Sequence, residues 1–485
     1  IVLIFRGKSN VSAIMVGVLV GALLLGQDLG AMAKAFATSL GSSTALIGLI
    51  IMMGAGLGVL MSEAGGTHTL VYWIVKRIGV NTQSKGKIAL VVVSIIVCGL
   101  LGTAFHYSIR YATGLRADHG WLLYLLPLAG LVIVALYRLC GIAHDEGTNL
   151  VLNSIRTQNE IPLKMTPLIF IGTVLTHLCG GSAGREGAAL QIGGSIGTAL
   201  GRLVRLDEKD LHIITIAGMS ALFAALFGTP VTAAVFSMEV ISVGVVYYAA
   251  FLPSVVAAAV ASQIAQGFGI APTAFRLGAL PAVSLASLGK AALLAAACAV
   301  VSILFIASLH GAARLYRRLF QNPYLRIAAG GCLVILATLL CGVPDYNGAG
   351  MESIIRAIEG GQAHWYAFLL KILFPALTIG AGFKGGEIVP TFFIGATFGC
   401  ALGPVLGLDA GFAAAVGLVA LFCAVVNCPL AALALAIELF GGGGLLLFAA
   451  ACAVSYLLSG YYSLYSGQHI IYSKLRAEYI NRTTH

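Results

Sequence analysis

The chain has 485 residues, of which 59% are hydrophobic and only 9% charged. A soluble domain carries about 25% charged residues, so this composition excludes a soluble globular protein and predicts an integral membrane protein. The net charge of +10 does not imply nucleic acid. The basic residues gather in short connections at 75–87 and 313–326 and in the C-terminal SKLRAEYINR, the distribution of cytoplasmic loops under the positive-inside rule.

Apolar runs follow one another along the chain, at 11–25, 43–61, 88–104, 121–139, 211–229, 231–252, 285–308, 365–382 and 410–426. Segments near 20 apolar residues cross a hydrocarbon core of roughly 30 Å as helices, and the period-two alternation of a β-barrel is absent. The predicted class is an all-α polytopic membrane protein. The chain begins at Ile1, which reads as an incomplete N-terminus. No signal-peptidase site follows the first run, which is read as a span. The early spans hold two acids, Asp28 and Glu63, too few for a cation site. The ten cysteines lie mostly in apolar runs without CxxC spacing and read as buried small hydrophobes. No nucleophile–base–orienter set, metal-ligand cluster or cofactor motif is present, so an enzyme is not expected.

Residues 180–190, GGSAGREGAAL, place Arg185 and Glu186 side by side between apolar, glycine-rich flanks. Adjacent residues on a helix do not face each other, so a simple ion pair is not the expected arrangement, and an ionisable group at membrane depth is a functional candidate. His177, upstream in LTHLCGG, reads as a satisfied core residue.

The second half repeats the first. GMSALFAALFGTP at 218–230 matches GLVALFCAVVNCP at 417–429, and nine residues beyond each proline stands a glutamate, Glu239 and Glu438. Glycines recur every fourth position at 193, 197 and 201 and again at 395, 399 and 403. Duplicated membrane halves suggest inverted repeats of broken helices with a substrate held at their interface. Helix N-termini there offer free N–H groups and partial positive charge, which suits an anion. Each half opens its ladder with a glycine-rich loop carrying one cation and one acid: Arg185 and Glu186 in GGSAGREG, Lys384 and Glu387 in GAGFKGGEIVP. The matched positions of Glu239 and Glu438 suggest hydrogen bonding between helices.

GREG before a glycine-laddered helix, then FGTPVTAAVFSMEV, then GGEIVP, then a late Tyr-Ser pair together resemble the CLC family of chloride channels and anion/proton exchangers, over residues 95–476. The resemblance implies a homodimer in a bacterial inner membrane, each subunit with its own pore for chloride or fluoride, exchanged for protons. It implies that Glu186 is the gate: ionised, its carboxylate occupies an anion site, and protonated, it swings away. Arg185 would keep the outer mouth positive, with Lys384 a second pore cation. The central anion site would be lined by Glu387, Ile388 and Val389 and completed by the hydroxyl of Tyr472 on a last helix. The first-half loop, Gly-Ser-Gly-Ile-Pro in the family, would be represented by Gly147, Thr148 and Asn149.

Two departures matter. Many exchangers have an internal proton-transfer glutamate where this chain has Val240, as channel members do. GFKGGE resembles the fluoride/proton exchanger branch, in which the loop glutamate, here Glu387, takes part in transport, but Val389 stands where that branch has a threonine. Proton-coupled exchange and a passive anion channel both stay open. Residues 1–95 resemble instead a fragment of an NhaC-type sodium/proton antiporter, leaving cation/proton antiport as a further alternative. The expected organisation is an extra transmembrane segment over 1–95, a first repeat over 96–270, a second over 271–476 with the pore-completing helix, and a short polar tail over 477–485.

Overall fold

In the computed structural model, which describes residues 82–142, 146–157, 161–203, 205–476 and 478–484, each half opens with a helix longer than a bilayer is thick. The early spans at 11–25 and 43–61, with Asp28 and Glu63, lie outside the described residues. The first half comprises α1 (Thr82–Asp118), α2 (Leu126–Leu139), α3 (Thr148–Thr157), α4 (Met165–Leu178), α5 (Glu186–Leu203), α6 (Glu208–Phe227), α7 (Pro230–Glu239) and α8 (Phe251–Gly267). The second comprises α9 (Leu285–Leu319), α10 (Pro323–Cys341), α11 (Met351–Glu359), α12 (Ala367–Ile379), α13 (Ile388–Leu402), α14 (Ala410–Val426), α15 (Pro429–Phe440) and α16 (Leu445–Leu458). The two series correspond helix by helix. α1 and α9 have 37 and 35 residues, and α7 and α15 both start on a proline. Among the described residues six helical segments are long and apolar enough to cross a membrane. Most of the others have 9–17 residues, and a helix that ends at membrane depth leaves free backbone groups that only protein or a protein-lined cavity tolerates.

The repeat extends to the caps. Asp207 accepts from Asp210 N–H to start α6, and Asp409 accepts from Phe412 N–H to start α14. Gly228 and Asn427 end those two helices in the left-handed conformation. The glycine ladders pack α5 on α6 and α13 on α14 at backbone contact. A Cβ at Gly193 would lie 2.2 Å from Gly218 O, and one at Gly395 would lie 2.4 Å from Gly417 O. Small residues let membrane helices approach this closely and gain packing energy where no hydrophobic effect is available.

Two sequence expectations are corrected. Residues 231–252 are not one span. α7 stops at Glu239, the strand β1 (Ser242–Val243) follows, and α8 begins at Phe251. The β-branched run from Val240 to Val246 favours an extended chain, and Gly244 turns it with φ 87°. Among the described residues the expected pore-completing last helix is likewise absent. Residues 469–483 form β2 (His469–Tyr472) and β3 (Tyr479–Thr483), an antiparallel pair with β1 parallel on the other side of β2.

Candidate functional site

The two glycine-rich loops meet. Gly184 N–H donates to Gly386 O at 2.7 Å and Gly386 N–H donates to Gly184 O at 2.8 Å, a single antiparallel bridge between the halves. No side chain fits there: a Cβ on Gly386 would lie 2.4 Å from Gly187 N. The second half also holds the first loop in place. Asn347 Nδ2 donates to Gly180 O at 2.8 Å, Gly348 N–H to Gly181 O at 3.1 Å, and Ser182 N–H to Thr378 Oγ1 at 3.0 Å. Directly after the bridge the chain turns into α5 at Glu186 and into α13 at Ile388. Two helix N-termini therefore open at one place, and their first-turn N–H groups have no intrahelical acceptor.

A carboxyl group already occupies the first of them. The Glu186 carboxylate, 1% exposed, folds back so that Oε2 accepts from Arg185 N–H at 3.0 Å. Its Oε1 has no hydrogen-bond partner and lies 3.6 Å from Arg185 Nε. The expectation that these neighbours would not pair is corrected. Arg185 precedes the helix, where the rule of helical faces does not apply, although the contact is loose. The Arg185 guanidinium donates instead to Leu226 O at 3.3 Å, near the end of α6.

Thr148, Gly187 and Glu387 converge. A Cβ built on Gly187 would lie 3.0 Å from Gly386 Cα, 3.1 Å from Thr148 Oγ1 and 3.2 Å from Glu387 Oε2. Thr148 is buried and receives Gln191 Nε2 at 3.4 Å. Gly147 precedes it with φ 62°, the left-handed turn that brings the chain into α3 and that glycine adopts without penalty. Glu387 is the N-cap position of α13, and Ile388 and Val389 are buried in its first turn. The remaining sequence candidates lie further out. Asn149 Oδ1 accepts from Gly467 N–H at 2.8 Å, supporting a loop. Lys384 stands over the Tyr137 ring at 4.4 Å from its centroid, against Gly172 of α4.

Tyr472 is misplaced by the sequence reading. It ends β2, is 48% exposed and sets its ring against Tyr479, because the segment is a strand and not a helix. The buried tyrosine of this segment is Tyr465. Its side chain is 1% exposed, its hydroxyl has no hydrogen-bond partner, and it lies within electrostatic reach of the Glu387 and Glu186 carboxylates. Sequence reasoning also passed over Lys371, a lone charge in AFLLKILFPAL. It is fully buried in α12 and donates to Tyr346 O at 3.1 Å and Gly348 O at 2.8 Å, the turn that holds Gly180 and Gly181. Its position in an apolar run was the available signal. His177 is a core residue with Nδ1 on Thr173 O at 2.9 Å.

An inverted pair of broken helices opening on a buried carboxylate defines an anion-pathway architecture, and comparison with known proteins agrees. The family model described as voltage gated chloride channel matches residues 129–460. The chain belongs to this family, the CLC proteins. It is 39% identical over 386 residues to a chloride/fluoride channel protein of Pseudomonas syringae pv. tomato, covering 78% of this chain and 85% of that protein. It is 26% identical over 377 residues to the H+/Cl− exchange transporter ClcA of Vibrio cholerae, covering 71% of this chain and 80% of the relative. Among solved structures, a CLC-type fluoride/proton antiporter superposes with a TM-score of 0.76 at 33% identity, covering 78% of this chain and 96% of that one.

Proposed function

We propose that the protein carries chloride or fluoride across a membrane in exchange for protons, through a pathway gated by Glu186. The observation that carries the reading is the Glu186 carboxylate seated on the N–H of Arg185 at the mouth of α5. A helix N-terminus that accepts a carboxylate accepts a halide by the same physics. The ionised gate and the transported anion then compete for one place. Protonation removes the negative charge and weakens its hold on the amide, so the side chain leaves and an anion enters. Deprotonation returns it and expels the anion, which links proton movement one way to anion movement the other.

The central stop for the anion is assigned to the second N-terminus. The amides of Glu387, Ile388 and Val389 face it from α13, and the hydroxyls of Thr148 and Tyr465 donate from the sides. Arg185 and Lys384 supply positive potential along the route. Glu387 is the second proton carrier, close to Thr148 Oγ1 and Gly187. A passive channel is the second reading, favoured by Val240, which is fully buried and apolar with its carbonyl taken by Gln468.

The test is efflux from proteoliposomes loaded with chloride or fluoride while internal pH is recorded, for the wild type and Glu186→Gln. Anion efflux should drive protons inward against their gradient in the wild type. In Glu186→Gln anion efflux should persist with proton movement lost. Efflux without proton movement in the wild type would select the channel, and no anion flux in either would refute the anion pathway.

A further inference from the structure

We propose that the C-terminal hairpin of β2 and β3 positions Tyr465, with Lys474 and Thr484 as the latch that sets how tightly the central site holds its anion. This rests on the assignment of Tyr465 to that site.

Tyr465 lies in the loop after α16, a segment with no regular structure to fix a side chain. Its backbone is instead held by three hydrogen bonds. Its N–H donates to Ser463 Oγ at 3.1 Å. Its carbonyl accepts from Gln468 N–H at 3.0 Å and from Thr484 Oγ1 at 2.8 Å. Thr484 is itself buried and, beyond the end of β3, also donates its N–H to Gln468 O at 3.2 Å.

Behind Tyr465 runs a saturated polar chain that ends on a cation. Gln468 is fully buried. Its amide donates to Val240 O and Val426 O, both at 2.9 Å, and its Oε1 accepts from Ser463 Oγ at 2.8 Å and Asn427 Nδ2 at 3.1 Å. Every donor and acceptor of that amide is used. Asn427 Oδ1 in turn accepts from the Lys474 ammonium, which also donates to Tyr456 O at 2.9 Å and Ser459 Oγ at 3.1 Å and stands over the Tyr456 ring. All three hydrogen-bond partners are neutral. Lys474 thus ties together the ends of α14 and α16, and through Asn427, Gln468 and Ser463 it fixes the backbone of Tyr465.

The bland alternative is that Lys474 only caps two helix C-termini, where a cation is favourable. Stability would then fall on its removal and anion affinity would not. A buried hydroxyl aimed at a charged ligand is different: its contribution falls off steeply with misalignment, so a loosened loop shows first in affinity.

The experiment is initial anion efflux against internal anion concentration at fixed pH, in proteoliposomes, for the wild type, Tyr465→Phe, Thr484→Val, Lys474→Met, Lys474→Arg and the double variant Tyr465→Phe/Thr484→Val. Tyr465→Phe should raise KM about tenfold, the size of one lost hydrogen bond to a charged ligand. Thr484→Val and Lys474→Met should each raise KM about three- to tenfold with maximal flux within about twofold, as expected of groups acting through that same bond. Lys474→Arg should restore the wild-type KM. The double variant should be no worse than Tyr465→Phe alone, because both changes remove one interaction. If Tyr465→Phe raises KM but Thr484→Val and Lys474→Met do not, or if the double variant is additive, the latch is refuted and the site assignment stands. If Tyr465→Phe itself leaves KM unchanged, the assignment of Tyr465 to the site fails, and the latch fails with it. Thr484→Val removes one hydroxyl and keeps the side chain's shape, so the test survives if Lys474→Met does not fold.

Discussion

Glu186 and Glu387 both stand where a helix begins, and their surroundings separate their roles. Glu186 is sealed from solvent with one oxygen on an amide, whereas Glu387 is partly exposed and shares its space with the Thr148 hydroxyl and the Gly187 backbone. In the function proposed above the first blocks the pathway and the second carries a proton while the amides of α13 keep the anion. Glu387→Gln preserves shape and those amides but cannot ionise. It should therefore slow proton transport driven by an anion gradient about a hundredfold, the low end of what a positioned acid–base group contributes, with a smaller effect on anion exchange itself. Parallel pH and anion-electrode records on the same vesicles check this. Both glutamates were legible in the sequence because a carboxylate in apolar surroundings is conspicuous. Tyr465 was not. The dipeptide Tyr-Ser occurs three times between 462 and 473, and side-chain chemistry alone cannot tell which copy faces inward. Burial in the folded chain separates them, with Tyr465 1% and Tyr472 48% exposed, and no local pattern in HIIY displays that difference.

At the level of helices, the glycine ladders were the most legible feature, because a spacing of four residues puts them on one face. Their purpose is close approach, and the structure makes it quantitative. A methyl group on Gly193 would overlap Gly218 O at 2.2 Å, and one on Gly399 would overlap Ala413 O at 2.2 Å. Backbone cannot rotate away as a side chain can, so each helix pair must separate. Gly193→Ala and Gly399→Ala should each lower stability by about 1–3 kcal/mol, the range for overpacking, and lower the thermal unfolding midpoint in detergent. Gly289, in α9 with nothing near its missing Cβ, is the control, and Gly289→Ala should be neutral or stabilising by up to about 1 kcal/mol. Where legibility failed, 231–252 was read as one span on its apolar composition although its middle is β-branched, and 469–483 as a last helix on the family resemblance. Their extended form is fixed by pairing between β1 and β2, a contact between segments more than two hundred residues apart that no local pattern displays.

Across the whole molecule the two halves hold each other by an exchange of carboxylates. Glu438, on α15, accepts from Val231 and Thr232 N–H at 2.9 and 2.8 Å, at the start of α7. Glu239, at the end of α7, accepts from Leu430 and Ala431 N–H at 3.1 and 2.8 Å, at the start of α15. Each acid neutralises the exposed N-terminus of the helix that carries its counterpart, so the clamp is reciprocal and follows the symmetry of the duplication. The sequence disclosed the matched spacing from proline to glutamate but not that each acid crosses to the other half, since a repeat reveals equivalence without revealing contact. This geometry separates these acids from Glu186 and Glu387: only the clamp pair has both oxygens committed to backbone donors. Replacing either by alanine leaves two helix-start N–H groups without their carboxylate acceptor, more deeply buried at the start of α15 than at the start of α7. Glu239→Ala should therefore destabilise by about 2–4 kcal/mol, from two charge-assisted bonds and the desolvation left behind, and Glu438→Ala by less, because water reaches part of the start of α7. Thermal unfolding in detergent measures the loss, and flux from the folded fraction supplies the discriminating result. If the clamp is structural, the surviving protein keeps the wild-type ratio of protons to anions. A changed ratio in Glu239→Ala alone would instead make that carboxylate part of the proton route beside Val240.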